Sequence, residues 1–168
     1  AHMFDIAQWA LGMDESGPVL FTPPSEPADT GLSMKYANGV VMNHKKWGEG
    51  NAVQFIGTEG RIEVSRSFLR TFPNEGLAKA ELKPSDKRVY VSDNHYQDWI
   101  DAIKKRTRPI SDVETGHRTS SVCNISNIAY ELQRPLKWNP NKEEFVGDAY
   151  ANLMLTRPFR GKWNFNDF

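Results

Sequence analysis

The tightest constraint on this chain is the dipeptide Asn38-Gly39, set between the strand-length runs 32–37 and 40–44. Asn-Gly supplies the positive φ angles of a type I′ turn, so the spacing predicts a hairpin. That turn places Ala37 opposite Val40, Lys35 opposite Met42 and Ser33 opposite His44. Further strands are predicted at 52–56 and 61–65, on either side of Gly57-Thr58-Glu59-Gly60, and at 68–72 and 87–91. Short apolar pieces at 19–21 and 136–138 add to them. Strands a few residues apart with turns between them make a mostly antiparallel sheet. One face alternates toward Lys35, Gln54, Arg61 and Glu63, which fits a sheet covered by helices on one side only.

Helical patterning frames these strands. Met3, Ile6, Ala7, Ala10 and Leu11 follow the spacing of a buried helical stripe, and Gly12 suits the left-handed stop after it. Asn94 or Asp93 can cap a helix with Tyr96, Trp99, Ile100 and Ile103 on one stripe. Ser111-Asp112-Val113-Glu114 reads as a capping box. The helix it opens carries Val122, Ile125, Ile128, Ala129 and Leu132 and stops before Pro135. A last helix is predicted at 148–155, followed by an aromatic and basic tail, 157–163, expected to pack on the domain. The fold class is therefore α+β: an open-faced, mostly antiparallel β-sheet with helices packed on one face. No start signal precedes the first helix, so residues 1–168 are expected to be one domain of a larger protein.

Charge balance narrows the function. Lys+Arg 21 against Asp+Glu 21 gives net charge +0, which argues against a nucleic-acid partner. The cluster Lys104-Lys105-Arg106-Thr107-Arg108 ends a predicted helix, where positive charge complements the helix dipole. No apolar run reaches the length of a membrane span. Cys123 is the one cysteine, so no internal disulfide forms, and its apolar neighbours mark it as a small buried filler. Neither G-x-G-x-x-G nor G-x-x-x-x-G-K-[ST] is present to cradle a nucleotide phosphate, and no G-x-S-x-G elbow appears. His2, His44, His95 and His117 lack paired metal-ligand spacing, so no metal is expected.

His2 and Asp5 are the sharpest candidates. A carboxylate one turn along a helix can orient an imidazole and stabilise its charged form for acid/base work. A histidine at a helix start is also a common surface residue, and His-Met is also what a cloning junction leaves. His117 stands in Glu114-Thr115-Gly116-His117-Arg118 early in a long helix, where Gly116 suggests close approach by a backbone or ligand. His44 ends a hairpin strand and can reach a cleft or lie on the sheet surface. Trp99, Trp138 and Trp163 read as core and tail anchors before sugar platforms.

Residues 2–12, 55–62, Gly116-His117-Arg118, Asn127-Ile128-Ala129-Tyr130 and 147–160 together resemble a known family, in order and over nearly the whole chain. That family is the Gfo/Idh/MocA oxidoreductases, related to glucose-fructose oxidoreductase and inositol dehydrogenase, in a bacterial branch. The resemblance implies a two-domain enzyme. A Rossmann domain binds NAD or NADP, and the present chain is the C-terminal substrate-binding and oligomerisation domain, with the dinucleotide-binding domain outside it. It implies hydride transfer at a sugar or polyol hydroxyl, and a homo-oligomer formed through the open sheet face. His2 and Asp5 match the last histidine and aspartate of a D-x-G-x-H-x-x-D motif. The earlier aspartate and glycine are missing here, as is the family's E-K-P lysine. The chain alone is thus expected to be inert and to bind no cofactor. His117, Arg118 and His44 are the implied substrate contacts. A non-catalytic carbohydrate-binding or assembly module is the alternative, as is an NAD-assisted glycoside lyase or hydrolase acting through a keto-sugar. The expected location is cytoplasmic, or periplasmic after export in folded form.

Overall fold

A computed structural model describes residues 1–158, 160 and 161. In chain order the elements are α1 (His2–Ala10), β1 (Leu20–Thr22), β2 (Leu32–Lys35), β3 (Val41–His44), β4 (Val53–Ile56), β5 (Arg61–Val64), β6 (Leu69–Phe72), a 3-10 helix (Glu75–Lys79), α2 (His95–Lys105), α3 (Val113–Leu132), β7 (Leu136–Asn139), β8 (Glu144–Phe145) and α4 (Ala149–Leu153). The expected α+β class is the observed one, and every strand pair is antiparallel. The strands form two open sheets rather than one, β3-β2-β1-β7-β8 and β4-β5-β6. The chain divides correspondingly into two compact units, one of residues 1–15 and 46–121, the other of 16–45 and the chain from 122 onward.

In the five-stranded unit, directly paired residues share a face. Phe21, Leu32, Met34, Leu136, Trp138 and Phe145 fall on one side and are buried. Lys35, Val41, Asn43, Lys137 and Glu144 fall on the other and are exposed. The rear half of α3 covers the apolar side. Its Ser126 Oγ lies 3.5 Å from Met34 Sδ, and Leu32 N–H donates to the Tyr130 hydroxyl at 3.1 Å. Val122, Ile125, Ile128 and Ala129 of α3 are buried, each large aliphatic contributing about 1.5–3 kcal/mol. At the far edge, Asn152 of α4 clasps β8 by accepting from Phe145 N–H at 2.7 Å and donating to its carbonyl at 2.9 Å.

The hairpin register differs from the sequence expectation by one residue. Lys35 pairs with Val41, Met34 with Met42, Ser33 with Asn43 and Leu32 with His44. Tyr36 N–H donates to Val40 O at 2.9 Å and Gly39 N–H to Tyr36 O at 3.0 Å. The loop is therefore the three residues Ala37, Asn38 and Gly39, and only Gly39 (φ +91) takes the positive φ; Asn38 does not. A three-residue loop of this kind shifts every cross-strand pair by one relative to a type I′ turn. The shift moves His44 onto the helix-covered side of the sheet.

The other unit is built on β4-β5-β6. Val53, Phe55, Ile62, Val64, Leu69 and Thr71 share one face, and Gln54, Arg61, Glu63, Arg70 and Phe72 the other. Gly60 stands where a Cβ would run into the backbone carbonyl of Phe72. β4 packs against α1. That helix ends in a Schellman motif: Met13 N–H reaches Gln8 O at 2.9 Å, Gly12 N–H reaches Trp9 O at 3.0 Å, and Gly12 has φ +66. Residues 87–91 form no strand. They lack a pairing edge, and Val89, Tyr90 and Val91 are exposed. Asn94 caps α2, accepting from Tyr96 and Gln97 N–H at 3.1 Å. The expected stripe of Tyr96, Trp99, Ile100 and Ile103 is exposed, and Ala102 is the buried residue of that helix. The cap of α3 falls on Asp112, one residue later than the capping-box reading. Its Oδ1 accepts from Glu114 N–H at 2.9 Å, while Arg108 grips the same carboxylate at 2.7 and 3.0 Å. Cys123 is half-buried rather than fully buried. Phe159, Lys162 and Trp163 of the expected tail lie outside the described residues. None of the described helices is long and apolar enough to cross a membrane.

Candidate functional site

Asp5 is fixed by a partner far away in sequence. The Thr119 hydroxyl on α3 donates to Asp5 Oδ1 on α1 at 2.7 Å. Thr119 is buried at 7 % exposure, whereas Asp5 is exposed. The expected hydrogen bond between His2 and Asp5 is not formed, although both lie on α1 three residues apart. His2 opens the helix and is exposed, so its imidazole is not held toward the carboxylate.

A second carboxyl stands near Asp5. Asp14 follows the Schellman end of α1, and its buried Oδ1 has no hydrogen-bond partner among the described residues. Burial, then the charges of Asp5 and Glu15, raise its pKa above the usual carboxylate range. Asp5 on α1 and Asp14 just beyond it thus bring two carboxyls into one neighbourhood.

α3 carries Arg118 and His117 just before Thr119. At 3.6 residues per turn, His117 projects about 200° around the helix from Thr119, away from the side that meets Asp5. His117 is exposed. Arg118 is half-buried and its Nε donates to Glu114 Oε1 at 2.7 Å, one turn back. A Cβ at Gly116 would meet nothing within 4 Å, so among the described residues no backbone approaches there.

His44 belongs to the other unit and forms a separate polar node there. Its Nδ1 lies 2.8 Å from the Tyr130 hydroxyl, with the rings edge-to-face at 6.0 Å. Burial lowers the His44 pKa and raises that of Tyr130. Both shifts favour neutral groups. With the imidazole proton on Nε2, the Tyr130 hydroxyl donates to Nδ1 while accepting from Leu32 N–H.

Sequence reasoning singled out Asp5 and His44 but not the groups beside them, Thr119 and Asp14 near Asp5 and Tyr130 at His44. Thr119 carries no local signal, since one buried threonine in a long helix resembles any other. Asp14 reads as loop polarity until its oxygen is seen to be buried. No group of three or more metal-ligating side chains occurs among the described residues.

Residues 1–165 match the family model for the oxidoreductase family, C-terminal alpha/beta domain. No curated protein and no solved structure matches the chain. With nearly the whole length matched and an α+β fold of open antiparallel sheets, the chain belongs to the Gfo/Idh/MocA oxidoreductase family as its C-terminal alpha/beta domain.

Proposed function

We propose that this domain is the substrate-binding and oligomerisation half of an NAD(P)-dependent sugar or polyol oxidoreductase. The observation that carries the reading is the family match over residues 1–165, joined to a carboxylate that the fold anchors at an exposed position. The described residues do not themselves suit a nicotinamide dinucleotide. Every strand pair is antiparallel, and no strand–glycine-rich turn–helix unit is present to hold a pyrophosphate. In this reading the cofactor is held by a dinucleotide-binding domain, and the present chain contributes the substrate side.

Within that reading His2 is the acid/base that takes the proton from the reacting hydroxyl. Asp5 orients its imidazole and favours the charged form. The reading is supported by the Thr119 hydroxyl bond to Asp5, and it requires the exposed His2 imidazole to turn toward that carboxylate. Arg118, beside Thr119 on α3, is a sugar contact in this reading, and His117, which projects away from Asp5, would touch only a part of the sugar remote from the reacting hydroxyl. His44, paired with Tyr130 in the other unit, is proposed separately as a sugar-contact candidate of that unit. Oligomerisation is assigned to the open sheet face, which presents apolar residues such as Ile62 and Leu69.

The experiment is an initial-rate survey of the enzyme carrying this domain and a dinucleotide-binding domain. A panel of sugars and polyols is offered with NAD⁺ and with NADP⁺. Reduction of one cofactor with a defined substrate is expected, together with loss of turnover in His2→Ala. An enzyme that binds neither cofactor would overturn the reading.

A further inference from the structure

We propose that Thr119 is a positioning residue of this site, its hydroxyl holding the Asp5 carboxylate in working orientation. The inference rests on the reading of Asp5 as part of the acid/base pair and deepens it. Three features of the contact carry it. The O–H···O separation of 2.7 Å is typical of a hydroxyl bonded to a carboxylate. Thr119 has one proton to give. Threonine and serine inside helices commonly return theirs to the carbonyl four residues back, as Ser126 of the same helix does to Val122 O at 2.7 Å. Thr119 instead directs its proton across to α1. Its side chain is buried and β-branched, so few rotamers are open to it and the hydroxyl direction is fixed before substrate arrives.

The remaining carboxylate oxygen gives this arrangement a use. Asp5 is exposed and is held through Oδ1, while Oδ2 takes no hydrogen bond among the described residues. A lone exposed aspartate rotates about two side-chain bonds. Anchored by one oxygen, it presents the other in a constant direction, as an orienting group must. The contact also ties α1 to α3, so the register of the two helices sets where that oxygen stands.

The test uses the enzyme carrying this domain and its dinucleotide-binding domain. Thr119→Val keeps shape and removes the hydroxyl; Thr119→Ser keeps the hydroxyl. The loss of a hydrogen bond to a charged group corresponds to about 10- to 100-fold in a rate or equilibrium. Thr119→Val is expected to lower kcat by about tenfold or more with KM little changed, and Thr119→Ser to restore most of it. Adding Thr119→Val to Asp5→Asn is expected to lower kcat no further, because the two act as a unit. Should Thr119→Val not fold, Thr119→Ala takes its place beside the serine variant. If Asp5→Asn lowers kcat and Thr119→Val does not, the positioning role is wrong and the acid/base reading stands. An equal loss from Thr119→Val in both backgrounds marks a purely structural threonine and also overturns the proposal. If Asp5→Asn leaves kcat unchanged, the underlying reading fails and the proposal with it.

Discussion

Glu63 is the charge whose removal bears most on the three-stranded sheet. Its side chain is 8 % exposed and sits between two arginines. Gln54 Nε2 donates to its Oε1 at 3.0 Å, and Arg70 Nη1 lies 3.5 Å from Oε2. Arg61 Nε lies 2.9 Å from Oε1, close enough for charge attraction but misdirected for a hydrogen bond. Arg61 also lies over the Phe72 ring at 4.1 Å, and Arg70 over Phe68 at 4.0 Å. Removing one partner of a fully buried pair costs about 3–5 kcal/mol. Here the two arginine side chains are 41 % and 45 % exposed, so water rehydrates them when the carboxylate goes. That reduces the expected cost of Glu63→Ala to about 2 kcal/mol, or about 4–8 °C in the melting of this sheet. Glu63→Gln keeps the volume and one acceptor for Gln54 and should cost about half as much. Denaturant titration followed by circular dichroism reads both. A Glu63→Ala midpoint within about 0.5 kcal/mol of wild type refutes the reasoning, because it makes this buried carboxylate an ordinary surface charge. β4 packs on α1, so the same variant is also expected to loosen the seat of Asp5.

Gly60→Ala should destabilise the same sheet by about 1–3 kcal/mol or more, since the added methyl meets the rigid carbonyl of Phe72; denaturant unfolding measures it. Phe21→Ala empties a fully buried position in the five-stranded sheet and should lower stability by about 3–5 kcal/mol. His44 has a folded pKa depressed by burial, so the folded state binds fewer protons. Stability should be full above the ordinary value of 6.5 and decline as pH falls below it, and His44→Gln should flatten that decline in melts across the range. Asp112 is pulled down to about 2 by the Arg108 fork and by the backbone N–H groups it caps. Its contribution is present above the ordinary value of 3.8 and lost as pH falls through about 2, so Asp112→Asn should reduce the acid dependence of stability over that window.

What the sequence conveyed follows from how local each signal is. α1 and its glycine stop, the Asn94 cap and the strands at 61–64 and 69–72 rest on neighbouring residues, and the structure has them. The hairpin was visible at Asn38-Gly39, but its register depends on whether Asn38 takes a positive φ, which the dipeptide alone does not decide. The division into two sheets depends on which edges meet across long loops. Lys35 was grouped with Gln54, Arg61 and Glu63, yet it belongs to a different sheet. Residues 87–91 have strand composition and no strand to pair with, so propensity had nothing to act on. In the site, Asp5 was legible through its helical spacing and its resemblance to a motif. Thr119 was not, because a contact between residues 5 and 119 exists only once α1 and α3 are packed.

Hydride transfer from a sugar carbon is tested most directly with isotope. The substrate found in the survey is labelled with deuterium at the carbon bearing the reacting hydroxyl, and the nicotinamide product is examined by mass spectrometry and proton NMR. One deuterium on the nicotinamide ring, with a slowed rate for the labelled substrate, is the expected result. Deuterium retained in the sugar product, or released to water without reaching the cofactor, contradicts a net sugar or polyol oxidation.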